Sequence, residues 1–451
     1  MDDAARPALT GSAGSGYGRG ARILSIGIAL TGVVTFAYFS VASYVLNDVE
    51  YKQIALLWSV LFVTVSVIYR PIEQLLSRTI ADRRARGFEH DHPLRTPLLL
   101  QGGFALAFLV IALVLRGPIQ DDLFDGSKAL YWILVVAVLA YAASYFARGW
   151  LAGHQWFGFY GGLVFLEACS RLAFAVAVAV GIAHGQTAVA LGMAAAPFFS
   201  LIVVPWAFSR RPPRGEAGDE PLGEAGGEKR ADAEALGLAR GGRFALAVLA
   251  VMVAEQTLLN AGVLLVDWTS ADKAVAGFVF NVLLIARAPL QLFQAIQGSL
   301  LPHLAGLEAR EGQAEFARAI RVTVAAIAGF AGAVALGLLL VGPFAMNILF
   351  DDPFTYGRWG LALVAVGMGF HLTAGTLNQA ALARDRAGTA AACWLFTAAA
   401  FVAFMVSPLV DDELLRAQIG YFGAAALLAA LLAVVYRATS ASSGPRTSGP
   451  S

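Results

Sequence analysis

"LLWSVLFVTVSVIYRPIEQLLSR" occupies residues 56–78. Through Tyr69 the stretch is an unbroken apolar run of the kind that crosses a bilayer as a helix. Arg70, Pro71, Glu73 and Gln74 then fall within five residues, where a span that only ends would need none of them. Proline removes a helical N–H and crowds the carbonyl four residues back, here that of Val67, so a kink is expected at Pro71.

The surrounding composition fixes the class. The chain has 451 residues, 58% of them hydrophobic and only 14% charged, with a mean hydropathy of +0.68. Soluble domains carry about 25% charged residues, so a water-soluble fold is excluded. Runs of about 20 apolar residues recur twelve times. They lie at 23–46, 53–76, 96–115, 129–148, 158–182, 186–208, 244–267, 274–300, 319–341, 359–383, 388–408 and 414–436. The first is too long for a signal-peptide core and is read as a retained span. The fold class expected is therefore all-α and polytopic, with twelve transmembrane helices.

Charge sets the orientation. With the N-terminus in the cytoplasm, the outer loops hold Lys52, Arg116, Lys128, Lys273, Arg358 and Arg416 against twelve acidic residues. Arg70, Arg171 and Arg287 are assigned to spans. The remaining basic residues, including "ADRRARG" at 81–87 and "SRRPPR" at 209–214, fall on the cytoplasmic side. Both termini are then cytoplasmic. The net charge of +1 gives no footprint for nucleic acid.

The polar stretch 209–243, rich in Gly, Pro, Glu and Ala, divides six spans from six. The expected organisation is a disordered tail at 1–21, a first lobe at 22–208, a cytoplasmic linker at 209–243, a second lobe at 244–436 and a tail at 437–451. Within the linker, 235–241 reads as a short amphipathic lead-in to the seventh span. The halves echo each other. "IYRPIEQL" (68–75) in the second span matches "IARAPLQL" (285–292) in the eighth at Ile, Arg, Gln and Leu, with the proline shifted by one. Arg70 and Gln74, like Arg287 and Gln291, stand four apart on one helical face. Pro71 and Pro289 are candidate hinges.

Polar residues inside spans are expensive and mark candidate sites. Glu167 and Arg171, in "GLVFLEACSRLAF" (162–174), have the spacing and order of an i,i+4 ion pair. In "VAEQTLLNAG" (253–262), Glu255 needs a partner, water or a proton, and Gln256 and Asn260 share a face. Arg287 can grip a phosphate with two N–H groups. His371 is a lone histidine within a span, and packing as a hydrogen-bonded group is its ordinary role. Enzyme signatures are absent from the sequence: no phosphate loop, no HExxH, no Cys/His metal set. No cofactor or metal is expected.

Four stretches carry a resemblance: "RPIEQLLSR" (70–78), "ARGWLAGHQWFGFYGGLVFLEACSRL" (147–172), "AGFVFNVLLIARAPLQLFQAIQGSLLPHLAGLEA" (276–309) and "GPFAMNILF" (342–350). Over about residues 22–436 the chain resembles the multidrug/oligosaccharidyl-lipid/polysaccharide exporter superfamily, and within it the polysaccharide-biosynthesis flippase branch. The resemblance implies a V-shaped, pseudo-two-fold pair of six-helix lobes around a cavity that opens alternately to each side. It implies a polyprenyl-pyrophosphate-linked oligosaccharide as substrate. It further implies residence in a bacterial inner membrane, and glycosyltransferases or a polymerase as pathway partners. Arg70, Asn281, Arg287, Pro289 and the polar residues of the fifth span carry over. One departure stands out: the first span has no carboxylate, where drug/cation antiporters of the superfamily often use one. Two other readings stay open. Glu255 fits a cation-coupled multidrug or metabolite exporter, and the linker fits a transport-inactive membrane scaffold.

Overall fold

Asn47 starts the second span with a capping box. Its side chain accepts from the Glu50 N–H at 2.9 Å, and Glu50 reaches back to the Asn47 N–H at 3.4 Å. The helix therefore begins at Asp48, which takes Lys52 into the helix and out of the outer loop where the charge count puts it. The computed structural model describes residues 13–85, 94–209, 227–270, 272, 274–285, 313–350, 356–384 and 386–442. In chain order the helices are α1 (Ala13–Val45), α2 (Asp48–Ile68), α3 (Arg70–Ala85), α4 (Arg95–Val114), α5 (Lys128–Gly153), α6 (Phe157–Ala179) and α7 (Gly185–Ser200). They continue with α8 (Val203–Ser209), α9 (Gly227–Thr269), α10 (Val275–Ile285), α11 (Gln313–Leu349), α12 (Arg358–Ala383), α13 (Ala387–Val406) and α14 (Glu413–Ser442). Among the described residues ten helices are long and apolar enough to span, and Leu30–Val45 and Val275–Ile285 supply the apolar parts of the first and eighth spans. The fold is all-helical and polytopic, as the spans require.

The boundaries of the expected tails and linker differ in three places. α1 begins at Ala13, inside the stretch read as a disordered tail, because no proline stops the first span from propagating toward its N-terminus. α9 begins at Gly227, so 227–243 of the expected linker is helical. That part is rich in Glu, Lys, Arg, Ala and Leu, all strong helix formers. α14 runs on to Ser442 rather than stopping near 436.

The second span divides at Tyr69, between α2 and α3. The Tyr69 N–H still donates to the Val65 carbonyl at 2.9 Å, but Pro71 has no N–H to offer Val67.

Both halves pack in the same order. In the first, α1 lies along α6, α6 along α7, α7 along α5 and α5 along α4. In the second, α9 lies along α13, α13 along α14, α14 along α12 and α12 along α11. Counted as spans, 1–5–6–4–3 becomes 7–11–12–10–9, so the pseudo-two-fold relation holds at the level of packing. The third and ninth spans, α4 and α11, are the least buried, with only 17% of each apolar window covered. Their exposed leucines and valines, such as Leu99, Leu106, Leu336 and Leu340, form apolar surfaces suited to lipid.

The halves meet through α2 against α9, and at one end of the bundle through several side chains. Phe39 packs on Phe280 with centroids 4.5 Å apart. The Tyr51 hydroxyl donates to Asn281, whose amide donates to the Tyr356 hydroxyl at 3.2 Å. Tyr44 donates to the Ile348 carbonyl at 2.6 Å and Ser40 to that of Leu349. Those carbonyls belong to the last turn of α11, where a helix leaves its acceptors unused. By the charge rule this joined end is the outer one.

Candidate functional site

The first half holds a buried polar core. α5 crosses α3 closely because Gly149 and Gly153 face it: a Cβ on Gly149 would stand 2.9 Å from the Glu73 carbonyl. This crossing keeps α5 helical past residue 148, the end of the predicted span, and carries Arg148 inside, away from the cytoplasmic side to which the charge count assigns it. Arg148 forms an ion pair with Glu167, with side-chain exposures of 11% and 1%. Ser144 also donates to Glu167, and Ser200 on α7 does so at 3.3 Å. One carboxylate therefore gathers donors from α5 and α7. Beside it, Glu73 accepts from the Tyr160 hydroxyl at 2.8 Å, tying α3 to α6.

The i,i+4 pair of Glu167 and Arg171 is not made. Arg171, 3% exposed, donates to the Tyr141 hydroxyl at 2.8 Å. Its guanidinium packs over Trp58 and Phe62, 5.2 and 5.7 Å from their ring centroids. An i,i+4 pair contributes only a few tenths of a kcal/mol, so the tertiary partner Arg148 prevails. Arg171 is committed to the first lobe's interior, and so is Glu167.

The boundary between halves has a different character. Arg70, half-buried at the start of α3, lies within electrostatic reach of Glu255 on α9. Glu255 is itself half-buried, and its charge also acts on His371 of α12. Further along α9, the Asn260 amide donates to the Gln256 side chain at 3.1 Å and to its carbonyl at 3.2 Å, linking the two within the helix. His371 is 2% exposed, between Trp394 and Tyr421 with centroids 5.6 and 6.1 Å away. Among the described residues neither of its ring nitrogens has a hydrogen-bond partner, contrary to the hydrogen-bonded role its position suggests.

The predicted site residues thus separate into three places. Glu167 and Arg171 are inside the first lobe. Arg70 and Glu255 are at the boundary, and Gln256 and Asn260 are buried on α9. Asn281 is in the outer seam, 1% exposed, between Tyr51 and Tyr356. Gln74, the helical partner of Arg70, is exposed. Arg287, Pro289 and Gln291 lie outside the described residues. Sequence reasoning missed Arg148 and Glu73. The glycine pair in "ARGWLAG" was the available signal, since Gly149 and Gly153 four apart announce a close helix crossing at the position next to Arg148.

No family model and no curated protein sequence matches the chain. Solved structures do. An inward-facing multidrug resistance MATE family transporter of the MOP superfamily aligns over 93% of this chain and 98% of its own, with 13% identity and a TM-score of 0.64. The eukaryotic MATE transporter AtDTX14 aligns over 93% and 96%, with 15% identity and a TM-score of 0.63. A mutant of the Vibrio cholerae MATE transporter VcmN aligns over 95% and 98%, with 14% identity and a TM-score of 0.58. The chain has the two-lobe, all-helical membrane fold of the MATE transporters of the MOP superfamily.

Proposed function

We propose that the chain is a cation-coupled exporter working by alternating access. One observation carries the reading: Glu255 on α9, a helix that packs on α2 of the opposite half, stands half-buried where its charge acts on Arg70 of the first half and on His371 of its own. The charges around a carboxylate there change when the lobes move, so taking up a proton or cation can be linked to that movement. In the first half Glu167 is neutralised by Arg148 and Glu73 is held by the Tyr160 hydroxyl. In this reading 22–208 and 244–436 move as lobes in a bacterial inner membrane, and Pro71 marks a hinge.

The test is transport by the purified full chain in liposomes. An imposed proton or sodium gradient should drive efflux of a cationic dye, and Glu255→Gln should abolish gradient-driven efflux. Efflux indifferent to both gradients and to Glu255→Gln removes the reading.

A second reading is a flippase for a lipid-linked oligosaccharide. It is favoured by Arg70, a half-buried cation at the lobe boundary suited to a pyrophosphate, and by a lateral recess of about 610 Å³. Apolar residues of α4, α5, α8 and the turn before α8, including Leu98, Phe146, Leu201 and Val204, line the recess, which suits a hydrocarbon chain. Loss of surface polysaccharide on gene deletion, with no dye efflux in liposomes, would select it.

A further inference from the structure

Lys52 is 1% exposed, yet it lies on the outermost turns of a membrane helix, where water is close by. Its ammonium sits 3.0 Å from Asp125 Oδ2 and 3.4 Å from Asp267 Oδ1. Asp125 belongs to the first half, in the turn before α5, where it adopts a left-handed φ of 47° followed by Gly126 at 82°. Gln53 donates to the same Asp125 oxygen at 2.9 Å. Asp267 belongs to the second half, two residues from the end of α9, and is 6% exposed. One ammonium is therefore shared between a carboxylate that moves with it and one that does not.

We infer that Lys52 is the outer gate's latch: its bridge to Asp267 holds the outer ends of the two lobes together, and this bridge breaks when the protein opens outward. The inference rests on alternating access but on neither the cargo nor the coupling ion. The Lys52–Asp125 pair and the Gln53 bond lie within one half and survive opening, so Lys52 keeps a partner and a fixed position from which to close again. Only the bridge to Asp267 is lost, and both groups then meet water at the outer surface.

The chemistry suits a gate rather than a weld. A buried ion pair recovers little more than the desolvation of its members, while its geometry is demanding. Such a contact specifies one closed register without making closure deep. The neighbouring seam contacts are neutral: Tyr51 to Asn281, and Phe39 on Phe280. Arg148–Glu167, by contrast, lies wholly within the first half and has no reason to open.

The experiment reads the seam directly. Ser43 is 6% exposed and borders, with Tyr51, Gly277 and Asn281, a void of only about 10 Å³ between the halves. Ser43→Cys is introduced into the full chain with Cys169 and Cys393 replaced by serine, and its reaction with a membrane-impermeant maleimide is timed in liposomes. Asp267→Asn should speed labelling by about tenfold or more, since losing one partner of a buried charge pair is costly. Asp125→Asn, which cuts a bond within one half, should speed it much less. Asp267→Glu, which keeps the charge, should label about as slowly as the parent, and an unfolding midpoint of Asp267→Asn close to the parent's guards against a variant that merely folds badly. Equal labelling of parent and Asp267→Asn overturns the latch, as does Asp267→Glu labelling as fast as Asp267→Asn. If labelling of the parent nonetheless rises under an imposed ion gradient, alternating access stands and only the latch falls.

Discussion

Glu167 on α6 is held by Arg148 on α5, not by Arg171 one turn along its own helix. The two arginines therefore have opposite prospects. Arg148 has a buried counter-charge, and Arg171 rests on a tyrosine hydroxyl and two aromatic rings.

Removing one member of the Arg148–Glu167 pair should destabilise the chain sharply. Arg148→Ala or Glu167→Ala is expected to cost about 3–5 kcal/mol, because each leaves the other charge buried and alone. The double variant Arg148→Met with Glu167→Leu should recover most of that loss. Thermal unfolding in detergent, followed for all three, measures it.

Gly149 should tolerate no side chain. In Gly149→Ala the new methyl meets the Glu73 backbone carbonyl at 2.9 Å, and a backbone atom cannot swing aside. The expected cost is about 1–3 kcal/mol. Alanine at Gly162, on α6, meets nothing within 4 Å and serves as the control, with little change in the unfolding midpoint.

Arg70 and Glu255 should be energetically coupled although they stand in different halves. A cycle of Arg70→Gln, Glu255→Gln and the double variant should give an interaction of about 0.5–3 kcal/mol in thermal stability. Additive effects would mean that the two do not communicate in the folded state.

His371→Phe should stabilise the second half. A neutral imidazole carries one donor and one acceptor, and at His371 both are buried without partners among the described residues, a cost of order 1–3 kcal/mol for each unmet group. Phenylalanine keeps the ring between Trp394 and Tyr421 and discards the nitrogens. The unfolding midpoint should rise while gradient-driven transport falls, which separates a packing role from a part in coupling.

The spans, their number and the equivalence of the halves were legible in the sequence because hydrophobic length and charge asymmetry are strong, local signals. The cap at Asn47 and the break beside Pro71 were also local. The candidate site was much less legible. Arg148 and Lys52 each sit at the edge of a predicted span, where a shift of a few residues turns a loop charge into a buried one. Which partner Glu167 chooses depends on where α5 crosses, and the i,i+4 rule has no knowledge of a second helix. The echo of "IYRPIEQL" leads to Arg70 at the lobe boundary, but its counterpart Arg287 lies outside the described residues.

The end of α11 is finished by hydroxyls that belong to the other half, those of Ser40 and Tyr44. A helix that borrows its cap is complete only while the lender stays close. When the outer ends part, the carbonyls of Ile348 and Leu349 must turn to water, and the final turn, closed by the Phe350 N–H on the Met346 carbonyl at 2.9 Å, loses its anchor. Amide exchange at residues 346–350 thereby becomes a clock for the transport cycle: slow while the outer door is shut, fast whenever it stands open.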